Sequence, residues 1–173
     1  MEEIELTYLA KELPAGVKNS PHKEILDIYV TNGTGHATLR IRKGGDKYEL
    51  TKKEPIQGAD SSRKLESTIS LTAEEFEELN KLEGLRVRKM RYYYSENGTN
   101  YEIDIFQDAL SGLVMVDVEF DSLEKKNNFT PPEWCLVDVT QEKFLAGGML
   151  CGKIKYSDIE PRLRRFSYNK INE

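Results

Sequence analysis

Charged residues spaced two apart recur along this chain inside segments that otherwise read as β-strand. Glu3 and Glu5, Arg40 and Arg42, Lys89 and Arg91, Glu102 and Asp104, and Asp117 and Glu119 are such pairs, and Lys53 and Glu66 add single charges. Side chains at i and i+2 of a strand share a face, so each pair makes one charged stripe. Arg40, Arg42, Lys53, Lys89 and Arg91 suit phosphate, because guanidinium forks take its oxygens two at a time and lysines act as point charges. Glu3, Glu5, Glu102, Asp104, Asp117 and Glu119 are all-oxygen ligands of the kind Mg2+ or Mn2+ prefers. Without a cation, their mutual repulsion would raise their pKa values. A polyphosphate bound together with divalent metal satisfies both sets.

Alternation and turn residues predict strands at Glu2–Tyr8, Lys23–Thr31, His36–Lys43, Lys47–Lys53, Arg63–Leu71, Leu85–Tyr94, Asn100–Gln107 and Val114–Asp121. Asn32-Gly33, Gly44-Gly45 and Asn97-Gly98 can adopt positive φ and mark hairpins between antiparallel neighbours. The capping pair Thr72 and Glu75 predicts a short amphipathic helix over Thr72–Leu82 that carries Phe76, Leu79 and Leu82. Further short helices are expected at Ser122–Asn128, after Thr140, and near Ser157 and Glu160.

The residues interleaved with the charges are apolar: Ile4 and Leu6, Leu39 and Ile41, Ile103 and Ile105, Val116 and Val118. One such strand would simply turn its charges to solvent. Repetition across so many strands favours a sheet closed on itself, with apolar stripes outward under the helices and charges lining the lumen. The expected fold is therefore α+β, mainly β: a closed eight-stranded antiparallel β-barrel, or tunnel, with short helices packed outside, forming one domain over residues 1–173. Charges in such a lumen cost desolvation energy unless paired or neutralised by something bound.

The 173 residues suffice for one well-cored domain, and the fifteen Tyr and Phe argue against disorder although 32% of residues are charged. The net charge of −5 is spread along the chain, which argues against a nucleic-acid or anionic-membrane partner. No apolar run is long enough to cross a bilayer, and Met1–Glu5 lacks the features of a secretory leader. A cytoplasmic location is expected, with Cys135 and Cys151 as free thiols.

In order and spacing, these residues resemble the triphosphate tunnel metalloenzymes, or CYTH proteins, a family that includes class IV adenylyl cyclase and thiamine triphosphatase. The likeness runs through Glu3-Ile4-Glu5, Leu39-Arg40-Ile41-Arg42, Thr51-Lys52-Lys53, Arg63 with Glu66, Lys89-Met90-Arg91, Glu102-Ile103-Asp104-Ile105-Phe106 and Asp117-Val118-Glu119-Phe120. Phe129 to Trp134 and Asp138-Val139-Thr140 resemble its C-terminal segment. The resemblance implies an eight-stranded tunnel and divalent-metal-dependent attack on a triphosphate. It implies metal (Mg2+ or Mn2+) on Glu3, Glu5, Glu102, Asp104, Asp117 and Glu119, phosphate on Arg40, Arg42, Lys53, Arg63, Lys89 and Arg91, and a catalytic set of Glu5, Glu66, Asp117 and Lys53. Two positions depart from the family pattern. Thr7 replaces the signature lysine, with Lys11 as a compensating candidate, and Phe144-Leu145-Ala146-Gly147-Gly148 replaces a basic-aromatic-polar run. A binding-only polyphosphate or nucleotide module and an adenylate cyclase are the alternatives, and whether the chain forms a homodimer stays open. An apolar-ligand carrier is disfavoured by Arg40, Arg42, Lys89 and Glu119.

Gly147 to Lys153 spells G-x-x-x-x-G-K, but Ile154 stands where a P-loop needs Ser or Thr, so a helix end or plug is the better reading. His22 and His36 sit beside turn residues and are expected at the surface. Trp134 is expected to anchor one mouth of the barrel, and Arg162, Arg164 and Arg165 to form a solvated face.

Overall fold

The computed structural model describes residues 1–30, 36–82 and 84–172. Its strands are β1 (Glu2–Ala10), β2 (His22–Val30), β3 (Leu39–Gly44), β4 (Lys47–Pro55), β5 (Arg63–Leu71), β6 (Leu85–Glu96), β7 (Thr99–Phe106), β8 (Val114–Phe120) and β9 (Cys135–Asp138). They are ordered β5-β4-β3-β2-β6-β7-β8-β1, and the β1–β5 pairing closes the ring. Every pairing is antiparallel. With both faces of each strand committed, one to ions and one to apolar packing, closure is the arrangement that leaves no edge in the barrel wall.

Turn chemistry sets the register. Asn97 and Gly98 have φ of 51° and 78° between β6 and β7, and Gly45 has φ of 60° between β3 and β4. The Asn32-Gly33 pair lies outside the described residues. β9 was not foreseen in the sequence, since four residues after Pro131-Pro132 are too few to show alternation. It pairs with Tyr8–Ala10, farther along β1 than the closing contact with β5 at Glu2–Ile4.

Outward apolar stripes are covered in two places. Ile28 and Ile41 pack under α1 (Ala73–Asn80) through Phe76 and Leu79. This helix starts where expected: the Glu75 N–H donates to Thr72 Oγ1 (3.2 Å) and the Thr72 N–H to the Glu75 carboxylate (2.8 Å). Ile103, Ile105, Val116 and Val118 pack under Val17 and Trp134. Trp134 is therefore a wall residue rather than a mouth anchor: its ring lies edge-on to Tyr101 at 4.9 Å, and Nε1 donates to Glu96 (3.1 Å).

A third cluster plugs one end of the barrel. Leu9, Tyr29, Val87, Phe106 and Met115 from the strands meet Val139, Phe144, Leu145 and Leu150. The last belongs to α3 (Gly147–Leu150); α2 (Leu123–Asn127) and α4 (Tyr156–Leu163) complete the helices, α4 beginning at a Lys155–Asp158 cap rather than at Ser157. The plug can approach this closely only because of its glycines. A Cβ at Gly148 would lie 2.2 Å from the Ala37 carbonyl oxygen, and one at Gly147 the same distance from the Tyr29 hydroxyl. Backbone at Ala37 cannot swing aside as a side chain can, so Gly148→Ala is expected to cost about 2–3 kcal/mol. A melt that matches wild type would show that the plug is looser than its packing indicates.

Candidate active site

The inward residues of the barrel wall surround a cavity of about 820 Å³. Three of its cations, Arg42, Lys89 and Arg91, are held by two dry acids. Asp27 is 1% exposed and accepts from Arg42 Nε (2.6 Å) and Nη2 (2.8 Å). Burial alone would raise its carboxyl, but Arg42 and then Arg40 outweigh that and hold it well below the usual carboxylate range. Asp104 is equally buried and accepts from Arg91 Nε and Nη2, both at 2.6 Å, and from Lys89. Here too burial pushes up while Arg91 and Lys89 pull the carboxyl down to about 2. Lys89 is itself depressed, chiefly by burial, despite Asp104. Arg40 is under-satisfied: it meets Tyr29 Oη at 3.5 Å and Asp27 at 3.9 Å, and its buried Nε has no partner among the described residues. Arg40 lines the lumen, and a guanidinium this sparsely paired fits an incoming anion.

Carboxylates gather on the β1/β8 side. Glu3, Glu5 and Glu119 each offer an oxygen, and these lie within 4.8 Å of one another. Burial and then the Glu5 charge raise Glu119. Three convergent oxygens that repel one another when unfilled are a donor set for a hard divalent cation. Lys53 Nζ donates to both Glu3 oxygens (2.5 and 2.7 Å) and lies 3.2 Å from Glu66; Lys64 Nζ lies 3.9 Å from Glu5. Between the acids and the bases stands Asp117, which accepts from Thr7 Oγ1 at 2.9 Å and from Arg91 at 3.3 Å. Burial, then Glu5 and Asp104, push its carboxyl up to about 6.

Every residue named as a metal, phosphate or catalytic candidate lines this cavity, with different engagements. Asp104 and Glu102 are occupied by Arg91, so the carboxylates that converge without a bound guanidinium are Glu3, Glu5 and Glu119. Arg63 is at the rim only: it shares parity with outward Leu65 and donates to Glu2 at 2.6 Å, while Lys64 takes the inward place opposite Glu3. Lys11 lies past the end of β1, exposed, its N–H on the Trp134 carbonyl (2.8 Å), and does not reach the lumen. Asp27 and Lys64 were missed by sequence reasoning.

No family model matches the chain. Among curated proteins it is similar to an inorganic triphosphatase of Nitrosomonas europaea, 35% identical over 145 residues that make up 83% of this chain and 92% of that protein. The chain belongs to the triphosphate tunnel (CYTH) family. A crystal structure of an inorganic triphosphatase superposes with a TM-score of 0.64 at 31% identity, covering 88% of this chain and 96% of that one. A Bacillus halodurans structure superposes at 0.52 with 15% identity over 99% of this chain and 94% of that one, a likeness of fold alone.

Within this CYTH chain, the two departures from the family pattern acquire physical content. Thr7, at the signature lysine position, fills the lumen wall as a hydroxyl donor to Asp117, and its own N–H is held by Thr140 Oγ1 (3.0 Å). The Phe144–Gly148 run makes the plug, with Ala146, Gly147 and Gly148 lining the cavity floor. The G-x-x-x-x-G-K run thus begins in that plug and ends in a turn, with Gly152 at φ 87°. His22 is exposed, and His36 is exposed at the cavity rim. Arg164 pairs with Glu160 on α4 at 3.0 Å.

Proposed function

We propose that this protein is a metal-dependent triphosphatase that hydrolyses inorganic triphosphate inside its barrel. One observation carries the reading: a three-carboxylate cluster and an under-satisfied guanidinium line the same lumen. The inorganic triphosphatase relatives support it. Inorganic triphosphate is favoured over a nucleotide or thiamine ester by those relatives, and the lumen's rings already have cationic neighbours. Lys23 sits over Tyr93 (5.1 Å), Lys89 over Phe106 (5.6 Å), and Tyr29 Oη meets Arg40. Tyr94, Tyr101 and Trp134 pack outside the wall.

Glu3, Glu5 and Glu119 would hold Mg2+ or Mn2+, which when bound supplies charge neutralisation at phosphate oxygens. Arg40, Arg42, Lys53, Lys89 and Arg91 orient the chain of phosphates and offset the charge that builds on it as the P–O bond breaks. Asp117 accepts the proton of the attacking water at a carboxylate oxygen. Its elevated pKa makes it the better base than Glu66, which Lys53 holds below the usual range against the opposing effect of burial. Thr7 fixes the Asp117 carboxylate by donating to Oδ1. The two free cysteines suit a reducing, cytoplasmic setting.

The deciding assay is phosphate release from inorganic triphosphate, thiamine triphosphate and ATP, with Mg2+, with Mn2+ and with chelator. Inorganic triphosphate with metal is expected to be the preferred substrate, chelation to abolish turnover, and Glu5→Gln to lower it by ~10²-fold or more. Undiminished turnover under chelation, or tight triphosphate binding with no release over hours, would defeat the proposal.

A further inference from the structure

Ion pairs in the lumen are of two kinds. Asp27 and Asp104 are dry, with side chains 2% exposed, and their guanidinium contacts are bidentate. Opening either would strand a buried charge. Lys53 is placed differently: its side chain is 22% exposed, that of Glu3 13% and that of Glu66 29%, so water reaches all three. Its ammonium donates to both oxygens of Glu3, the carboxylate grouped with Glu5 and Glu119.

We infer that Lys53 is the resident counter-ion of the metal carboxylates, occupying Glu3 until a divalent cation displaces it and an anion receives its ammonium. The inference rests on the metal reading given above and assigns Lys53 a task in addition to phosphate contact. The ammonium spans both Glu3 oxygens, so a metal ion that takes either one must break a hydrogen bond and approach a like charge that repels it. Once displaced, Lys53 keeps Glu66 but faces the Arg40 guanidinium, a like charge within its electrostatic reach. A polyphosphate relieves that repulsion. Metal alone therefore binds against the Lys53–Glu3 pair, whereas metal and polyphosphate strengthen each other. The pair also keeps the acids from repelling one another in the unliganded chain.

The test is calorimetric titration of the full chain with Mn2+ alone. Lys53→Gln is expected to bind Mn2+ about tenfold more tightly than wild type, the scale of a lost part-buried ion pair. Lys53→Arg, which keeps the charge, is expected to stay near wild type. Lys52→Gln removes the same charge from the outer side of the same strand, where Lys52 pairs with Glu54 at 2.9 Å, and is expected to leave the affinity unchanged. Equal affinity in Lys53→Gln and wild type, or an equal gain in Lys52→Gln, overturns the inference. Glu5→Gln tests the premise separately: if it binds Mn2+ as wild type does, the metal reading itself fails. Loss of binding in Glu5→Gln, with no gain in Lys53→Gln, leaves that reading standing and removes only the role given to Lys53. Lys53→Met replaces the glutamine variant if the latter does not melt cooperatively.

Discussion

Asp117→Asn is expected to lower kcat by about 10³-fold while making the metal-free protein harder to melt at neutral pH. Both effects have one cause. The Asp117 carboxyl is pushed up to about 6 from 3.8 by burial, Glu5 and Asp104. A raised carboxyl pKa means that the folded chain binds its proton more tightly than the unfolded chain does. The associated stability is fully present below pH 3.8, and it drains away as pH rises through about 6. At neutral pH without metal, wild type has lost that contribution, worth about 3 kcal/mol, or roughly 9 °C in a chain of this length. Asparagine never ionises and never loses it, and its Oδ1 still accepts from Thr7. Melts with chelator at pH 5 and pH 8 should show the variant gaining on wild type at both, and about twice as much at the higher value. Retained turnover would remove Asp117 from the base's role, and a pH-independent difference in melting would refute the electrostatic account.

The barrel was legible in the sequence because its charges come in pairs two residues apart. Arg40 with Arg42 and Asp117 with Glu119 announce an inward stripe that no hydropathy average would show, and the apolar residues between them announce the outer packing. Where a strand carries a lone charge, the signal vanishes. Asp27 sits in Ile25-Leu26-Asp27-Ile28-Tyr29 with no charged neighbour at i±2, so it reads as a break in an apolar run. Arg63 and Glu66 are an odd number apart and cannot share a face in a regular strand. Applying parity there would have moved the inward charge to Lys64, which is where it lies. The split between metal-type and counter-ion carboxylates was out of reach, because Asp104 becomes a counter-ion only when β6 lies beside β7 with Arg91 opposite it. Register across strands is a tertiary fact, and one chain's local pattern does not contain it.

Arg91→Met is expected to be the most damaging single change in the lumen wall, costing about 3–5 kcal/mol of stability and at least ~10³-fold in kcat/KM. Arg91 holds Asp104 by two bonds of 2.6 Å and reaches Glu102 and Asp117 as well. Methionine fills comparable space but leaves Asp104 with Lys89 as its remaining cation, itself buried and depressed. The sign of the pH dependence should then reverse. In wild type the Asp104 carboxyl at about 2 lies below its ordinary value of 3.8, so its stabilisation is present above pH 3.8 and is lost as pH falls through 2. Without Arg91, burial prevails and raises the carboxyl. Asp104 then ionises less readily folded than unfolded, and stability falls as pH climbs. Wild-type Asp104 contributes no slope between pH 5 and pH 8, so the deficit of Arg91→Met relative to wild type should be larger at pH 8 than at pH 5. Adding Asp104→Leu removes the stranded acid, and an apolar pair in place of a buried ion pair is often neutral or stabilising. Arg91→Met/Asp104→Leu leaves buried Lys89 without its carboxylate, so it should recover part of the lost stability, Arg91→Met/Asp104→Leu/Lys89→Met most of it, and neither any of the phosphate release, since the guanidinium that would face phosphate is gone. Recovery of turnover along with stability would mean that Arg91 serves the fold alone.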